Sequence, residues 1–316
     1  MRRLRKAFIA SLCELAAADD RIVLLTGDLG YMALEPFRER FPQRFFNMGV
    51  AEQNMIGVAT GLAEAGFLPY AYSIGTFASL RPFEFIRNGP VLHQLPVRIV
   101  GMGMGFEYGH SGPTHYSLED IGVMRTLPGL TVVIPADSAQ TATAIKRTCN
   151  LKGPIYYSLG KDDKISVSCL NGQFDLGKVQ LIRDGGNIAI LAMGSVAQEA
   201  VAAAQDLARQ GVEAAVVVVS NFHPDAEQHL ASILARFRDV ITVEAHTLSG
   251  GLAAFAASVI AARGIGCRLQ AVGVRTPPDG TSGNQEERWR KHGLDRASIV
   301  RHVGAVREFS LRTASP

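Results

Sequence analysis

Short apolar runs alternate along this chain with stretches in which apolar residues recur at helical spacing. Ile22–Thr26 is a continuous run of β-branched residues and leucine, which is typical of a strand buried on both faces of a parallel sheet. Similar runs occur at residues 45–48, 68–72, 97–101 and 130–134. Because strands and helices alternate up to residue 158, the pattern predicts a parallel sheet covered by helices on both faces.

A second series of strands and helices follows a stretch that has no clear period. Its predicted strands are residues 187–192, 213–219 and 240–243. The sequence therefore predicts an α/β protein with two consecutive doubly wound sheet domains, residues 1–165 and 178–316. A linker rich in turn residues joins them at 166–177.

Three polar segments carry the signature of a helix N-terminus. Ser117-Leu-Glu-Asp120 and Ser195-Val-Ala-Gln198 have the spacing of a capping box, and Asp137 lies in the third segment, residues 135–140. We expect a side chain to cap a helix at each of these places.

Glu52 lies among small and apolar neighbours in residues 47–66. From Ala51 onward the apolar residues recur at helical spacing, so Glu52 falls in the first turn of a predicted helix. The helix dipole also favours an acid in a first turn. This local pattern alone does not separate a functional carboxylate from a structural one.

Gly101-Met-Gly-Met-Gly105 has the first glycines of a dinucleotide-binding motif, but the motif is incomplete. The position of the third glycine is Phe106, and the following residues contain glycine and proline where a helix should begin. A dinucleotide site is therefore excluded here.

Three motifs resemble those of the transketolases, a family of thiamine-diphosphate enzymes. They are Gly-Val-Ala-Glu at residues 49–52, Thr76-Phe77, and the loop Gly-His-Ser-Gly-Pro-Thr-His at residues 109–115. The resemblance extends over nearly all 316 residues. Residues 1–165 resemble the pyrimidine-binding domain of the family, and residues 178–316 resemble its C-terminal domain, which supports the dimer.

The resemblance implies a cofactor site. In the family, the glutamate of the first motif hydrogen-bonds N1′ of the cofactor's aminopyrimidine, and the aromatic residue of the second motif stacks on that ring. The cofactor-binding residues that this implies are Glu52, Phe77, Leu80, Phe83 and Asp28. Glu52 would also be catalytic, as would His115, which matches the loop histidine at the reacting end of the substrate. The local sequence of Asp28 also suits an ordinary turn beside glycine.

The resemblance also implies a substrate site, and here the chain departs from the family pattern. The substrate-binding residues expected are His110, Ser111, His115, Lys161 and Gly103. Gly103 stands where sugar-phosphate transketolases carry a phosphate-binding histidine, and Ser111 replaces an aspartate that reads a hydroxyl group. Lys161 replaces an arginine and lacks its bidentate fork. We expect Gly103 to leave room for a larger or unphosphorylated sugar, unless His110, Arg2, Arg3 or a partner restores the phosphate contact.

The family's other half is missing from this sequence. Full-length transketolases bind Mg²⁺ and the cofactor's diphosphate with a Gly-Asp-Gly motif in a preceding domain, and no Gly-Asp-Gly occurs in the 316 residues. The resemblance therefore implies a partner, an N-terminal transketolase subunit with the diphosphate-binding domain, that anchors most of the thiamine diphosphate and Mg²⁺. An α2β2 heterotetramer is the simplest assembly.

The implied activity is transfer of a two-carbon ketol unit from a ketose donor to an aldehyde acceptor. Three alternatives stay open: an enzyme like deoxyxylulose-phosphate synthase, the β subunit of a 2-oxoacid dehydrogenase, and a catalytically silent assembly subunit. The synthase normally carries its phosphate-binding domain in the same chain. Thr76-Phe77 and the loop at residues 109–115 fit the transketolases better than the dehydrogenase.

Composition and charge narrow the class of protein without identifying it. Hydrophobic residues make up 47% of the chain and charged residues 19%, which is a globular composition. The formal net charge of +3 comes from mixed charges, so nothing indicates a nucleic-acid or membrane partner. No apolar stretch approaches the length of a membrane span. Composition therefore leaves small-molecule chemistry as the default, and the resemblance to the transketolases implies a small-molecule sugar substrate.

The cysteines, and the pair Glu244 and His246, do not predict a metal site. The four cysteines are scattered, which argues against structural zinc and a disulfide framework and favours a reducing, cytoplasmic location. The basic residues 1–6 precede an apolar run, but acidic residues interrupt it, so we predict an amphipathic helix at 3–18 and no signal peptide. Glu244 and His246 could form a metal pair, and we favour a hydrogen-bonded structural pair.

Overall fold

Two β-sheets organise the part of the chain that the structure describes. The structure is a computed structural model, and it describes residues 4–161 and 164–313. The strands of the first half are β1 (Ile22–Thr26), β2 (Phe45–Asn47), β3 (Leu68–Ile74), β4 (Arg98–Met102), β5 (Thr131–Val133) and β6 (Ile155–Leu159). Those of the second half are β7 (Gln180–Arg183), β8 (Ile188–Met193), β9 (Ala214–Val218), β10 (Asn221–Phe222), β11 (Asp239–Thr247) and β12 (Arg268–Val274).

The first sheet has the order β10-β5-β6-β4-β3-β1-β2. Its six strands from the first half run parallel, as predicted, and the buried pattern of β1 and β4 reflects helices on both faces. The seventh strand was not predicted. β10 comes from the second half of the chain and pairs antiparallel with β5, with Asn221 opposite Val133.

The second sheet has the order β12-β11-β8-β9-β7, and only β7 runs antiparallel to its neighbour. Residues 164–179 contain no helix or strand, yet Ile165, Val167, Leu170 and Phe174 on this segment are buried. The predicted linker is thus packed against the rest of the protein, and the domain boundaries stay a prediction.

Helices cover both sheets. They are α1 (Leu4–Ala18), α2 (Glu35–Arg40), α3 (Glu52–Glu64), α4 (Gly75–Ser79), α5 (Phe83–Ile86), α6 (Asp120–Met124), α7 (Ser138–Thr148), α8 (Ala197–Arg209), α9 (Pro224–Leu234), α10 (Leu252–Arg263), α11 (Gln285–His292) and α12 (Arg296–Thr313). The helix predicted at 3–18 is observed from Leu4, and Arg2 and Arg3 lie outside the described residues. In the described ranges, no helix has both the length and the apolar character that crossing a membrane requires.

Two hydrophobic clusters join the two halves. The first contains Leu25 from the first sheet together with Leu191 from the second. The second is rich in the residues of α8 and also contains Phe106 from the first half, and a third cluster forms around Phe8 and Tyr157. The halves therefore share buried apolar surface, which makes their contact a stable part of the fold.

Two of the three predicted helix caps are wrong. Asp137 caps α7 as expected, because its Oδ1 accepts the backbone N–H of Gln140 at 2.9 Å. No side chain caps α6 or α8. Ser195 lies in a buried 3₁₀ turn at Gly194–Val196, where its backbone N–H faces the sulfur of Met104, so its position is set by the packing of the two halves.

The apolar residues spaced three apart in 76–94 do not form one helix. α4 ends at Ser79, α5 begins at Phe83, and a π-helical turn at Arg87–Val91 follows. Pro82 explains the break between α4 and α5, because proline disfavours helical backbone in the residue before it and donates no backbone hydrogen bond. The break leaves Leu80 and Arg81 between the two helices.

Candidate active site

The predicted site residues follow the carboxyl ends of neighbouring strands. Asp28 follows β1, Glu52 follows β2, Phe77 follows β3, His115 follows β4 and Lys161 follows β6. These strands are adjacent in the order β6-β4-β3-β1-β2. Because parallel strands deliver their carboxyl ends to one edge, the fold brings residues more than a hundred positions apart to the same edge of the sheet.

Glu52 is the buried carboxylate of this edge. It begins α3 and is 1% exposed. Its Oε1 accepts the hydroxyl of Ser73 at 2.9 Å, and its Oε2 accepts Nη1 of Arg81 at 2.8 Å. A Cβ on Gly27 would lie 3.3 Å from Oε1, so a small residue after β1 leaves the carboxylate its space. A buried carboxylate requires such hydrogen-bonding partners.

Arg81 connects Glu52 to two aromatic rings. The guanidinium carbon of Arg81 lies 3.8 Å from the centroid of the Phe77 ring. The rings of Phe77 and His115 are 5.1 Å apart and meet at 66°. The structure therefore brings Glu52, Phe77 and His115, which come from three different loops, into one continuous cluster through Arg81.

His115 ends the 3₁₀ turn Pro113–His115. Its Nδ1 lies 2.9 Å from the hydroxyl of Thr114, and its ring centroid is 6.4 Å from that of Tyr108. The ring is half-buried. Because Nδ1 faces Thr114, Nε2 is the ring nitrogen that another molecule would contact. His110 and Ser111 lie on the preceding 3₁₀ turn with exposed side chains.

Gly103 does not leave open space. A Cβ at this position would lie 2.2 Å from Cε2 of Tyr108, because the phenol ring occupies that volume. The Nζ of Lys161 lies 3.9 Å from the centroid of the same ring. The expectation of room beside Gly103 is therefore wrong: Tyr108 fills it, and Lys161 covers the ring.

The other predicted cofactor residues lie around the cluster. Asp28 has a left-handed backbone, φ 56°, and its Oδ1 accepts Nδ2 of Asn47 at 2.8 Å and the hydroxyl of Tyr31 at 3.1 Å. These two hydrogen bonds lower the pKa of Asp28. Leu80 is exposed between α4 and α5, and Phe83 is half-buried against the core shared by the two halves.

A buried polar group supports the loop that carries Phe77. Oδ2 of Asp120 accepts the hydroxyls of Tyr156 at 2.7 Å and Ser158 at 2.9 Å. Burial, with the negative charge of Asp120 second, raises the pKa of Tyr156 well above its usual value and keeps the phenol protonated as a donor. A Cβ on Gly75 would lie 2.3 Å from the hydroxyl of Ser117, so glycine is needed where the loop approaches α6.

Glu244 and His246 each have a structural role, but the predicted hydrogen bond between them is wrong. Glu244 accepts the backbone N–H groups of Leu252 and Ala253 at the start of α10, at 2.6 and 2.8 Å. Nε2 of His246 accepts the N–H of Gly122 at 3.1 Å and so ties the second half to α6. The two side chains do not hydrogen-bond each other directly, since Nδ1 and Oε2 are 3.9 Å apart. Burial raises the pKa of Glu244 to about 7 and lowers that of His246.

Three residues of the cluster were missed from the sequence: Ser73, Arg81 and Tyr108. Ser73 had a signal, since it lies at the end of an apolar run where a parallel strand delivers its carboxyl edge. Arg81 also had one, because the following Pro82 predicts a break that turns a side chain out of the helix. No local signal predicts that Tyr108 folds back onto Gly103.

Comparisons with known proteins agree with this arrangement. Residues 1–163 match the family model described as "Transketolase, pyrimidine binding domain", and residues 177–299 match "Transketolase, C-terminal domain". The chain is 37% identical over 308 residues to the 6-deoxy-6-sulfo-D-fructose transketolase subunit of Clostridium sp. (strain MSTE9), covering 96% of this chain and 94% of that one. It is 32% identical over 301 residues to a subunit of the apulose-4-phosphate transketolase of Phocaeicola vulgatus, covering 94% and 95%.

A solved structure has the same fold over the whole chain. It is described as "Split gene transketolase, inactive beta4 tetramer", with a TM-score of 0.85, 32% identity, and coverage of 96% of this chain and 97% of that one. The 1-deoxy-D-xylulose-5-phosphate synthase of Syntrophotalea carbinolica is 30% identical, and the match spans only 47% of the synthase. The two transketolase family models together match most of this chain, and the two transketolase subunits align with it over nearly their whole length. This chain therefore belongs to the transketolase family.

Proposed function

We propose that this chain is the C-terminal subunit of a split, thiamine-diphosphate-dependent transketolase. It moves a two-carbon ketol unit from a ketose donor to an aldehyde acceptor, and so belongs to the transferases of aldehyde or ketone residues, EC 2.2.1.-. The observation that carries this proposal is Glu52, a buried carboxylate that Arg81 links to the ring of Phe77, with the ring of His115 5.1 Å from that of Phe77. Relatives named as transketolase subunits support it.

The residues fit the aminopyrimidine end of the cofactor. Glu52 already holds a flat, N–H-donating group that stacks on Phe77, since the guanidinium of Arg81 makes both contacts. A flat heterocycle with a ring nitrogen and an amino group has the same shape and donor chemistry. When bound, thiamine diphosphate supplies the electron sink for breaking and forming the carbon–carbon bond. Glu52 would hold a proton at N1′ of the pyrimidine, with Phe77, Leu80, Phe83 and Asp28 lining the site.

His115 acts on the substrate side in this proposal. Its Nδ1 faces the hydroxyl of Thr114 and its ring packs against Phe77, so Nε2 is the nitrogen that would face a substrate. One nitrogen of an imidazole can donate a proton and the other can accept one, so His115 can serve as an acid or a base at a substrate oxygen. His110 and Ser111, on the exposed turn just before it, would contact the outer part of the sugar.

The substrate would be a ketose of a specialised sugar pathway. Two relatives are named for 6-deoxy-6-sulfo-D-fructose and apulose 4-phosphate. In this chain Tyr108 fills the space beside Gly103, and Lys161 provides a single cation over its ring. This surface suits a sugar with one anionic group, because lysine pairs with an anion as a point charge without a bidentate preference.

A partner subunit would complete the enzyme. We propose that an N-terminal subunit anchors Mg²⁺ and the cofactor's diphosphate, in an α2β2 heterotetramer. A related structure supports this division, because it is described as a split gene transketolase whose β4 tetramer is inactive. Tyr31, Met32 and Val50, next to Asp28 and Glu52, are 67, 78 and 72% exposed and would lie in that interface. We place the enzyme in the cytoplasm, where four unpaired cysteines are stable.

Reconstitution tests the proposal. The chain is mixed with a subunit that carries a Gly-Asp-Gly diphosphate-binding domain, and ketol transfer and deuterium exchange at cofactor C2 are measured. Glu52→Gln should slow the exchange by about a hundredfold or more, the usual scale for an acid–base group. Glu64→Gln, an exposed change at the other end of α3, is the matched control. Exchange at the wild-type rate in Glu52→Gln would refute the role of Glu52 and favour a catalytically silent subunit.

A further inference from the structure

Arg81 makes two contacts with the predicted cofactor residues. Its Nη1 donates to Oε2 of Glu52 at 2.8 Å, and its guanidinium carbon lies 3.8 Å from the centre of the Phe77 ring. The side chain of Arg81 is 40% exposed, whereas that of Glu52 is 1% exposed. The guanidinium thus covers the outward side of a buried carboxylate and remains in contact with solvent.

The backbone explains how Arg81 reaches this position. It lies in the break between α4 and α5, directly before Pro82, and the break is on the same loop as Phe77. Phe77 and Arg81 are four residues apart, so one short loop supplies both the ring and the cation that stacks on it. Glu52 is brought to them from α3, on the neighbouring loop.

The two contacts define a single volume. A guanidinium is planar, donates N–H bonds in its plane, and stacks on aromatic faces. An aminopyrimidine that bonds Glu52 and stacks on Phe77 would need the same carboxylate and the same ring. Oε1 of Glu52 already accepts the hydroxyl of Ser73, which leaves Oε2, the atom that Arg81 binds. Arg81 and the cofactor therefore cannot make these contacts at the same time.

We infer that Arg81 is an internal placeholder for the aminopyrimidine, which the cofactor must displace to bind. The inference rests on the proposed function, because it takes Glu52 and Phe77 as the aminopyrimidine's contacts. In the chain without cofactor, Arg81 neutralises the buried carboxylate and covers the ring. Cofactor binding is then an exchange of one flat donor for another, and the guanidinium moves into solvent, which it already contacts.

The exchange lowers the apparent affinity for the cofactor. An ion pair at a partly exposed site and a cation–π contact are each modest, and together they correspond to about a five- to thirtyfold change in a dissociation constant. Removing Arg81 should tighten cofactor binding by about that factor, and association should become faster. A residue that only supports the loop would have the opposite effect or none.

Cofactor binding to the reconstituted complex tests this directly. The dissociation constant of thiamine diphosphate at fixed Mg²⁺ is measured by calorimetry or near-ultraviolet circular dichroism for wild type, Arg81→Ala and Arg81→Lys. We expect tighter binding for Arg81→Ala and an intermediate value for Arg81→Lys, since lysine keeps the charge and loses the plane. Arg87→Ala is the control, because Arg87 is exposed on the same segment and bonds Asn88. Unchanged or weaker binding in Arg81→Ala overturns the inference.

A second measurement needs no cofactor. The denaturation midpoint of the isolated chain is compared for Arg81→Ala, Glu52→Gln and the double variant. If the contact exists in solution, Arg81→Ala destabilises the chain and has little further effect in the Glu52→Gln background. Strictly additive effects would overturn the inference.

The outcomes separate this inference from the proposed function. Wild-type exchange at cofactor C2 in Glu52→Gln would remove the proposed function itself. Lost exchange in Glu52→Gln, with no tightening in Arg81→Ala, would leave the function intact and remove only the placeholder.

Discussion

The phenol ring of Tyr108 occupies the volume that a side chain at position 103 would need, with Cε2 2.2 Å from the Cβ that Gly103 lacks. Gly103 has φ 83°, so its backbone also favours glycine. Glycine here accommodates a ring from the following loop. Whatever the substrate places near the end of β4 must therefore meet Tyr108 and Lys161.

Tyr108 should control which ketose is used. With the reconstituted enzyme, we expect kcat/KM for xylulose 5-phosphate to be lower than for a differently substituted ketose with one anionic group. Tyr108→Ala should change this ratio by at least about tenfold, the scale on which pocket contacts discriminate between substrates. Phe67→Ala, at an exposed aromatic residue directly before β3 and so at the opposite edge of the sheet, is the comparison. A clear wild-type preference for xylulose 5-phosphate would show that the lost phosphate contact is restored elsewhere.

His115 should act after cofactor activation. His115→Gln is expected to lower ketol transfer by about a hundredfold to ten-thousandfold, because a positioned acid–base group contributes on that scale. Deuterium exchange at cofactor C2 should stay near the wild-type rate, since Glu52 is unchanged. The control is His93→Gln, on an exposed histidine outside the cluster. Equal losses in both assays would mean that His115 positions the cofactor instead.

The isolated chain should bind thiamine diphosphate only weakly. Its described contacts offer Glu52 and Phe77 to the aminopyrimidine, and the proposed diphosphate and Mg²⁺ ligands are on the partner. Calorimetry with cofactor and Mg²⁺ should show no micromolar binding to the chain alone and clear binding after the partner is added. Micromolar binding by the chain alone would mean that it holds the diphosphate itself.

Glu244 should make stability depend on pH. Burial raises its pKa from 4.5 to about 7, so the folded chain binds a proton that the unfolded chain has already lost between these values. The raised pKa adds up to about 3 kcal/mol to the free energy of unfolding. This contribution is fully present below about pH 4.5 and is lost as the pH rises through 7. Burial lowers the pKa of His246, so below the usual pKa of histidine the unfolded chain binds a proton that the folded chain does not. This difference lowers the stability as the pH falls, which is opposite to the effect of Glu244.

A comparison with Glu244→Gln isolates this contribution. We subtract the free energy of unfolding of Glu244→Gln from that of the wild type. His246 and the other groups contribute to both values, so the difference reports on Glu244 and should fall between pH 5 and pH 8. Glu286→Gln, on the exposed side of α11, should show a constant difference. A constant difference for Glu244→Gln as well would mean that its carboxyl titrates alike in the folded and unfolded chain.

The sequence alone was enough for the α/β class and for most strands. Buried parallel strands such as β1 and β8 need continuous apolar runs, and the sheet geometry then places the loops after these strands together. The cap at Asp137 was predictable because a cap bonds within four residues. Glu52, Phe77 and His115 could be proposed from the sequence because each lies in a motif that resembles one of the transketolases, and they stay predictions.

Only the tertiary structure determined the contacts between distant residues. β10 crosses into the first sheet, Ser195 faces Met104 instead of capping α8, Arg81 stacks between Phe77 and Glu52, and Tyr108 fills the space beside Gly103. Each of these arrangements depends on the volume and hydrogen-bonding groups that another part of the chain leaves available. Local periodicity carries no information about that volume, because a side chain's packing partner is chosen by the shape of the assembled fold.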